Sequence, residues 1–511
     1  MKIIGKNISI NSTKKKDIKF KNKKIGSVNI IDETSIPIDE PFNIEADGNR
    51  VDIPDIKKVL KSRKFGQDKI DGYIRVKKLP ELARLNNISI EDRIIYIMDI
   101  RGFTASKTSK VKNKSTFISA IDKLDYIESL GFNTVELMPI YEFSSKIDKD
   151  RINYWGYTPN AHYYAVNPAY GIKDEIYEFR KFVSECHKRN IAVIMQMFFE
   201  NKSKEAIEDI LSYWIYNFGI DGFRIIGTFD DEIQYSPYLT NSLLFINQSN
   251  NTNAISYNDE FLYNIRNFLL GNKEVTYHIF KHITDYQKRV NYIANVDGFS
   301  LRDVFSFVDK HNEENNENNC DGPKYNISQN FGIEGITKDS YINDCRIKMT
   351  KIALAILFLS KGLPALRMGD EVYTTKNGNN NSYLLDDERV YLNFNPKGDA
   401  IDILNTIKEL IYIRKDIIIN NSSKEKNKTG ISFHSNQAWI DPVDCYDESM
   451  GIYFDYEKEY FIAINMSRNV KKIAVPKGDM ELIFNTGDGS TIDGKFINIS
   501  PMSISIYGRK E

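Results

Sequence analysis

The sequence predicts an α/β fold in which parallel strands are joined by helical crossovers, flanked at both ends by β-rich segments. Three observations carry this expectation. From Arg93 onward, short apolar runs alternate with stretches of helical spacing. The alternation recurs as far as Met368. Beyond Arg414 the helical spacing gives way to short strands and turns. So long a series of βα units fits an eight-stranded barrel better than an open sheet, although periodicity alone leaves both open.

Residues 1–90 are turn-rich, with several prolines and one alternating segment, 27–31, and are expected to be short and β-rich. Nine lysines stand against a single Asp between Met1 and Ile30. That arm is either a contact for a membrane or polyanion or, as expected here, a solvated and partly disordered terminus. The apolar run 93–99 is the first expected strand, and 116–130 has helical spacing closed by Gly131. Strands are expected at 134–140, 191–199, 222–226 and 243–247, then at 291–296 and 365–368. Helices are expected at 175–189, 204–218 and 401–414, followed by strands at 460–465 and 481–485.

Composition narrows the function classes. Of the 511 residues, 41% are hydrophobic and 12% aromatic, enough for a large core. The 69 basic and 70 acidic residues leave a net charge of −1, which argues against a chain-wide nucleic-acid surface. No run of apolar residues is long enough for a membrane span, and none resembles a secretory leader, so a soluble cytoplasmic protein is expected. Cys186, Cys320, Cys345 and Cys445 are widely spaced, with no Cys-x-x-Cys pair. Neither a disulfide framework nor a metal site is expected, and no cofactor.

Three segments carry a more specific signal. Residues 289–335 include the run Lys310-His311-Asn312 … Asn319-Cys320-Asp321-Gly322. Residues 154–159 read Tyr-Trp-Gly-Tyr-Thr-Pro, and residues 377–383 read Asn-Gly-Asn-Asn-Asn-Ser-Tyr, preceded by Met368-Gly369-Asp370-Glu371. Together they resemble the isoamylases and bacterial glycogen-debranching enzymes, α-1,6-glucan hydrolases of glycoside hydrolase family 13, over about residues 96–387. The resemblance implies a (β/α)8 TIM barrel over 91–425. It also implies a short, reduced N-terminal β region over 1–90, related to a family-48 carbohydrate-binding sandwich, and a C-terminal antiparallel β-sandwich over 426–511. Residues 312–319 look like a low-complexity loop; the resemblance makes them an ordered loop over the barrel mouth.

The same resemblance exposes substitutions where the chemistry belongs. Retaining glycoside hydrolysis needs a nucleophilic and a proton-donating carboxyl about 5 Å apart. The family's fourth-strand motif, Asp-Gly-Phe-Arg-Phe-Asp, is here Asp221-Gly222-Phe223-Arg224-Ile225-Ile226, so the nucleophile position holds Ile226. The fifth-strand general acid corresponds to Gln248, an amide that cannot act as an acid at useful pH. Gln196 and Asn201 replace an Asp and a His of the third-strand motif. Asp297, the position of the transition-state carboxylate, is kept, while its neighbouring His has become Val296. No catalytic set is therefore intact at the relic positions Ile226, Gln248 and Asp297.

Substrate-binding candidates remain: Arg224, Asp297, Trp155, Tyr157, Asn380 and Asn381. Arg224 and Asp297 either satisfy one another as a buried ion pair or contact sugar. Trp155 and Tyr157 either pack the second-strand loop or stack on pyranose rings. The leading expectation is a catalytically inactive isoamylase-like protein that binds α-glucan or joins an active debranching enzyme in a hetero-oligomer, as one subunit class of plant isoamylases does. A second is an active α-glucan hydrolase using displaced carboxylates, with Glu200, Asp230, Asp231, Glu232 and Asp297 as candidates. A third is an assembly protein with no affinity for sugar.

Overall fold

In a computed structural model the described residues are 80–509, apart from 149–150, 160, 241, 247–253, 421–429, 445–446, 457, 476–478 and 488; before residue 80, eight strands are described. Eight parallel strands close into a barrel. They are β1 (Ile95–Met98), β2 (Thr134–Leu137), β3 (Ala192–Lys202), β4 (Gly222–Phe229), β5 (Leu243–Ile246), β6 (Ile255–Tyr257), β7 (Arg289–Asn291) and β8 (Leu363–Arg367). Most of their residues are apolar and many are β-branched, as buried strands favour, with Glu136, Gln196 and Arg224 among the exceptions. The chain packs as two compact units.

The first unit comprises Met1–Asn86, Met98–Tyr126 and Thr134–Ala254. Its N-terminal strands form two antiparallel sheets, one of them joining Lys2–Gly5, Asn22–Ile25 and Val28–Asp32. Within the barrel β2 pairs with β3 from Thr134 and Ala192, and β4 with β5 from Gly222 and Leu243. Helices α1 (Glu175–Lys188) and α2 (Lys204–Phe218) are N-capped by Asp174 and Ser203, whose side chains accept from Tyr177 and Ala206. α2 stops at Gly219, whose φ of +70° suits a residue without a Cβ. The helices bury an aromatic cluster in which the Phe179 ring lies 6.0 Å from Trp214 and 5.2 Å from Phe218.

One face of α1 also pins the incoming chain. Arg180 Nε donates to Pro80 O at 2.6 Å, Ser184 Oγ accepts from Ala83 N at 2.9 Å, and His187 Nδ1 lies 3.0 Å from Ala83 O. Residues spaced four and then three apart share a helical face, which is why three side chains reach one strand of linker. His187 Nε2 in turn meets Asp221 Oδ2 at 3.0 Å, and the same oxygen accepts from Val193 N at 2.7 Å.

The second unit comprises Asn87–Ile97, Ile127–Asn133 and Ile255–Glu511. Here β6, β7, β8 and β1 pair in turn through Tyr257 with Val290, Val290 with Leu363, and Ala365 with Ile95. Helix α3 (Ser340–Leu359) is buried over its second half, and its last carbonyls are met by the buried Arg414 at the end of α4 (Asp399–Arg414). Arg414 Nη1 donates to Phe358 O and Ser360 O at 2.8 and 2.6 Å, and Nη2 to Gly362 O at 2.6 Å. The chain ends in two antiparallel sheets packed over Phe461, Ile473, Ile497, Ile499 and Tyr507.

Several expectations are corrected. The helix expected over 116–130 is broken into Phe117–Ile121 and Leu124–Leu130. The third and fourth strands run past their expected ends at 199 and 226, because β3 and β4 stay paired through Glu200 and Thr228. The sixth strand, only three residues long, was not anticipated. The seventh spans Arg289–Asn291 rather than 291–296. Among the described residues no helix is long and apolar enough to cross a membrane, and no cluster of His, Cys, Asp and Glu could hold a metal ion.

Candidate functional site

In the first unit, the candidate site is a polar chain crossing from β2 to β4. Glu136, fully buried on β2, accepts from Gln196 Nε2 at 2.6 Å and from Arg224 Nη1 at 3.3 Å. Gln196 on β3 accepts in turn from the Tyr157 hydroxyl. Gln196 and Arg224 are direct neighbours across the β3–β4 ladder. Arg224 is thus committed to Glu136, a partner the sequence reading did not foresee.

Two residues further along both strands, Phe198 faces Ile226. Strand side chains alternate with a period of two, so Phe198 and Ile226 continue the faces of Gln196 and Arg224. The nucleophile position therefore follows a buried ion pair and carries a half-buried alkyl group, with neither a lone pair nor an ionisable proton. It is not at a strand end, since β4 continues for three more residues. Tyr157 stacks on Phe198, with ring centroids 6.0 Å apart and planes at 29°. Trp155, 9% exposed, meets Tyr157 edge-on at 5.8 Å. Between them Gly156 has a φ of +80°, and a Cβ there would lie 2.5 Å from the Phe143 ring, so the loop admits no side chain.

The same loop is tied to Asp99, the N-cap of the short helix Ile100–Ala105. The Tyr154 hydroxyl donates to both oxygens of Asp99, at 3.1 and 3.0 Å, and Asp99 Oδ1 accepts from Gly102 N at 2.7 Å. Tyr163 donates to Phe198 O at 2.8 Å; burial, with the charge of Glu200, pushes its hydroxyl up to about 12. Of the displaced carboxylates, Glu200, Asp230, Asp231 and Glu232 are all exposed, and Asp230 caps a short turn by accepting from Glu232 N. Asn201, also exposed, bonds to Thr228 across the extended ladder.

In the second unit, Asp297 is exposed in the loop after β7, on a turn completed by Gly298 with a φ of +102°. That turn rests on the loop after β8: Gly298 N donates to Asn380 O at 2.8 Å, and Lys376 Nζ donates to Gly298 O at 2.7 Å and to Val296 O at 3.3 Å. Lys376 is fully buried. Burial, and next the charge of Arg367, bring its ammonium down to about 7 against the pull of Asp303, Asp370 and Asp297.

Asn380 and Asn381 are hydrogen-bonded within the loops of the second unit. Asn380 is fully buried; its Oδ1 accepts from Asn312 Nδ2, and its Nδ2 donates to Pro323 O and Asn326 Oδ1. Asn381 Nδ2 donates to Asp321 Oδ2 at 2.9 Å, alongside Asn315. This amide lattice ties residues 312–319 to the loop after β8, with Asn380 buried at its centre. Gln248 lies outside the described residues, as do 247–253.

Glu136, Asp99, Phe198, Lys376 and Asp303 were missed by the sequence reading. Glu136 carried the one available signal, a charged residue inside an apolar strand.

The closed barrel is the fold of many enzymes that act on sugars and other small molecules, and the family model of the α-amylase catalytic domain matches residues 103–206. Maize isoamylase SU1 is 25% identical over 82% of this chain and 68% of its own. A glycogen operon protein GlgX homolog of Mycobacterium tuberculosis is 24% identical over 64% of this chain and 58% of its own. The chain spans between about half and two thirds of the length of the curated relatives it matches. In fold it matches the type I pullulanase of Bacillus subtilis solved with maltose, with a TM-score of 0.74, 16% identity, and 99% of this chain and 82% of that one covered. These similarities support an isoamylase-type relationship within the α-amylase family, and the match to the pullulanase extends the likeness of fold over nearly the whole chain.

Proposed function

We propose that this protein is a catalytically silent relative of the debranching enzymes that binds α-glucan without cleaving it, alone or beside an active debranching partner. The observation that carries this reading is Ile226, paired with Phe198 directly beyond the Arg224–Glu136 ion pair. Forming a glycosyl–enzyme bond requires a carboxylate at that point, and an alkyl side chain supplies none. Glu136 does not substitute for it, being buried and held by Gln196 and Arg224. Support for glucan as ligand comes from the relatives, among them a pullulanase solved with maltose.

The test pairs a reducing-end assay on glycogen with glycogen-affinity electrophoresis of the purified protein. Retardation by glycogen without release of reducing ends is the expected result. Turnover abolished by Glu200→Gln or Asp297→Asn would establish displaced carboxylates instead. Absence of both turnover and retardation would leave assembly with a partner as the better account.

A further inference from the structure

The loop after β8 contains a lysine in an unusual setting. Lys376 is fully buried, and its Nζ meets Val296 O at 3.3 Å, Gly298 O at 2.7 Å and Ser382 Oγ at 3.4 Å. None of these partners is a carboxylate. Burying an ammonium on neutral oxygens alone is costly, so its placement calls for a reason. Two features fix the cation there. Asp303 accepts from the Lys376 backbone N at 2.7 Å and from the Thr375 hydroxyl, locking the main chain beneath the side chain. Gly298 N donates back to Asn380 O at 2.8 Å, so the two loops are laced from both sides. The two carbonyls that the ammonium holds are those immediately before and after Asp297, whose own carboxylate is exposed.

We propose that Lys376 is the positioning residue of Asp297: by bridging the carbonyls on either side of it, the ammonium sets the turn that presents this carboxylate to glucan. The proposal rests on the glucan-binding reading above. It adds a residue that touches no sugar itself but decides where the surviving acidic group points. Arg367, Asp303, Asp370 and Asp297 are the charged groups that act on the ammonium.

Because Lys376 ionises near neutrality, its hold on the turn weakens as the pH rises through about 7. Its effect on global stability has the opposite sign. A lysine whose folded pKa is depressed leaves the unfolded state with more protons between the two pKa values, so stability from this group rises with pH there. A merely structural lysine would follow only the second trend.

The experiment measures hydrogen exchange of residues 294–300, corrected for intrinsic pH dependence, together with glycogen affinity, between about pH 6 and about pH 8.5. In the wild type, exchange in this segment should quicken and affinity should fall across the range while the melting temperature does not fall. Lys376→Gln should raise exchange in 294–300 about tenfold at the lower pH, the order expected for losing hydrogen bonds to a charged group, and make both profiles flat. Unchanged exchange in a folded Lys376→Gln, or a wild-type profile without pH dependence, would overturn the proposal. If the variant does not fold, the wild-type exchange profile decides alone. If the wild type binds no glycogen, the glucan reading fails while the exchange data still test the positioning.

Discussion

At the scale of single residues, the decisive contact is Glu136 with Arg224. Removing one partner of a buried ion pair leaves an uncompensated charge, whereas removing both can be close to neutral. Glu136→Gln should therefore cost about 3–5 kcal/mol of unfolding free energy. Glu136→Leu combined with Arg224→Met should recover most of that loss. Urea denaturation of the single and double variants checks this; equal losses in both would mean that the pair is not the unit of stability. The residue scale is also where sequence reading is weakest. Ile226 and Asp297 were found by position in a motif, but the partner of Arg224 comes from a strand 88 positions earlier. Such a contact is set by strand order, which the local pattern does not contain.

At the scale of elements, much more was legible. The expected helix over 204–218 coincides with α2, because its apolar spacing, its Ser203 cap and its terminal Gly219 all agree. The sixth strand escaped notice since three residues are too few to show alternation. Helix α1 and its grip on the linker at Ala83 carry a prediction of their own. Burial lowers the His187 pKa, but hydrogen bonding and charge from Asp221 outweigh it, so the net shift is upward. A raised folded pKa means that the stabilisation is fully present below the unfolded value of about 6.5 and is lost as pH rises through the folded value. The stability difference between wild type and His187→Gln should accordingly be larger at about pH 5.5 than at about pH 8.5. Urea midpoints that differ by the same amount at both pH values would refute this.

At the scale of the molecule, barrel closure was anticipated only with the help of the family resemblance, since βα periodicity alone also allows an open sheet. The proposed catalytic silence carries a prediction at the same scale. Replacing Ile226 with Asp and Gln248 with Glu together should not restore debranching. Gln196 would still stand where the family motif described above has an Asp, and catalytic groups act only when their supporting shell holds them within about 0.5 Å. Reducing-end release from glycogen by the double variant measures this, and activity near that of a working isoamylase would show that only two groups had been lost.

The extended pairing of β3 with β4 limits how a side chain placed at position 226 could move. Beyond Gln196 and Arg224 the two strands remain zipped through Phe198 with Ile226, Phe199 with Gly227 and Glu200 with Thr228. A change of one codon can exchange a side chain, but it cannot unfasten a run of main-chain bonds. A carboxylate introduced at position 226 would therefore reach a ligand only through its own side-chain rotations, on a backbone held in place by its neighbour.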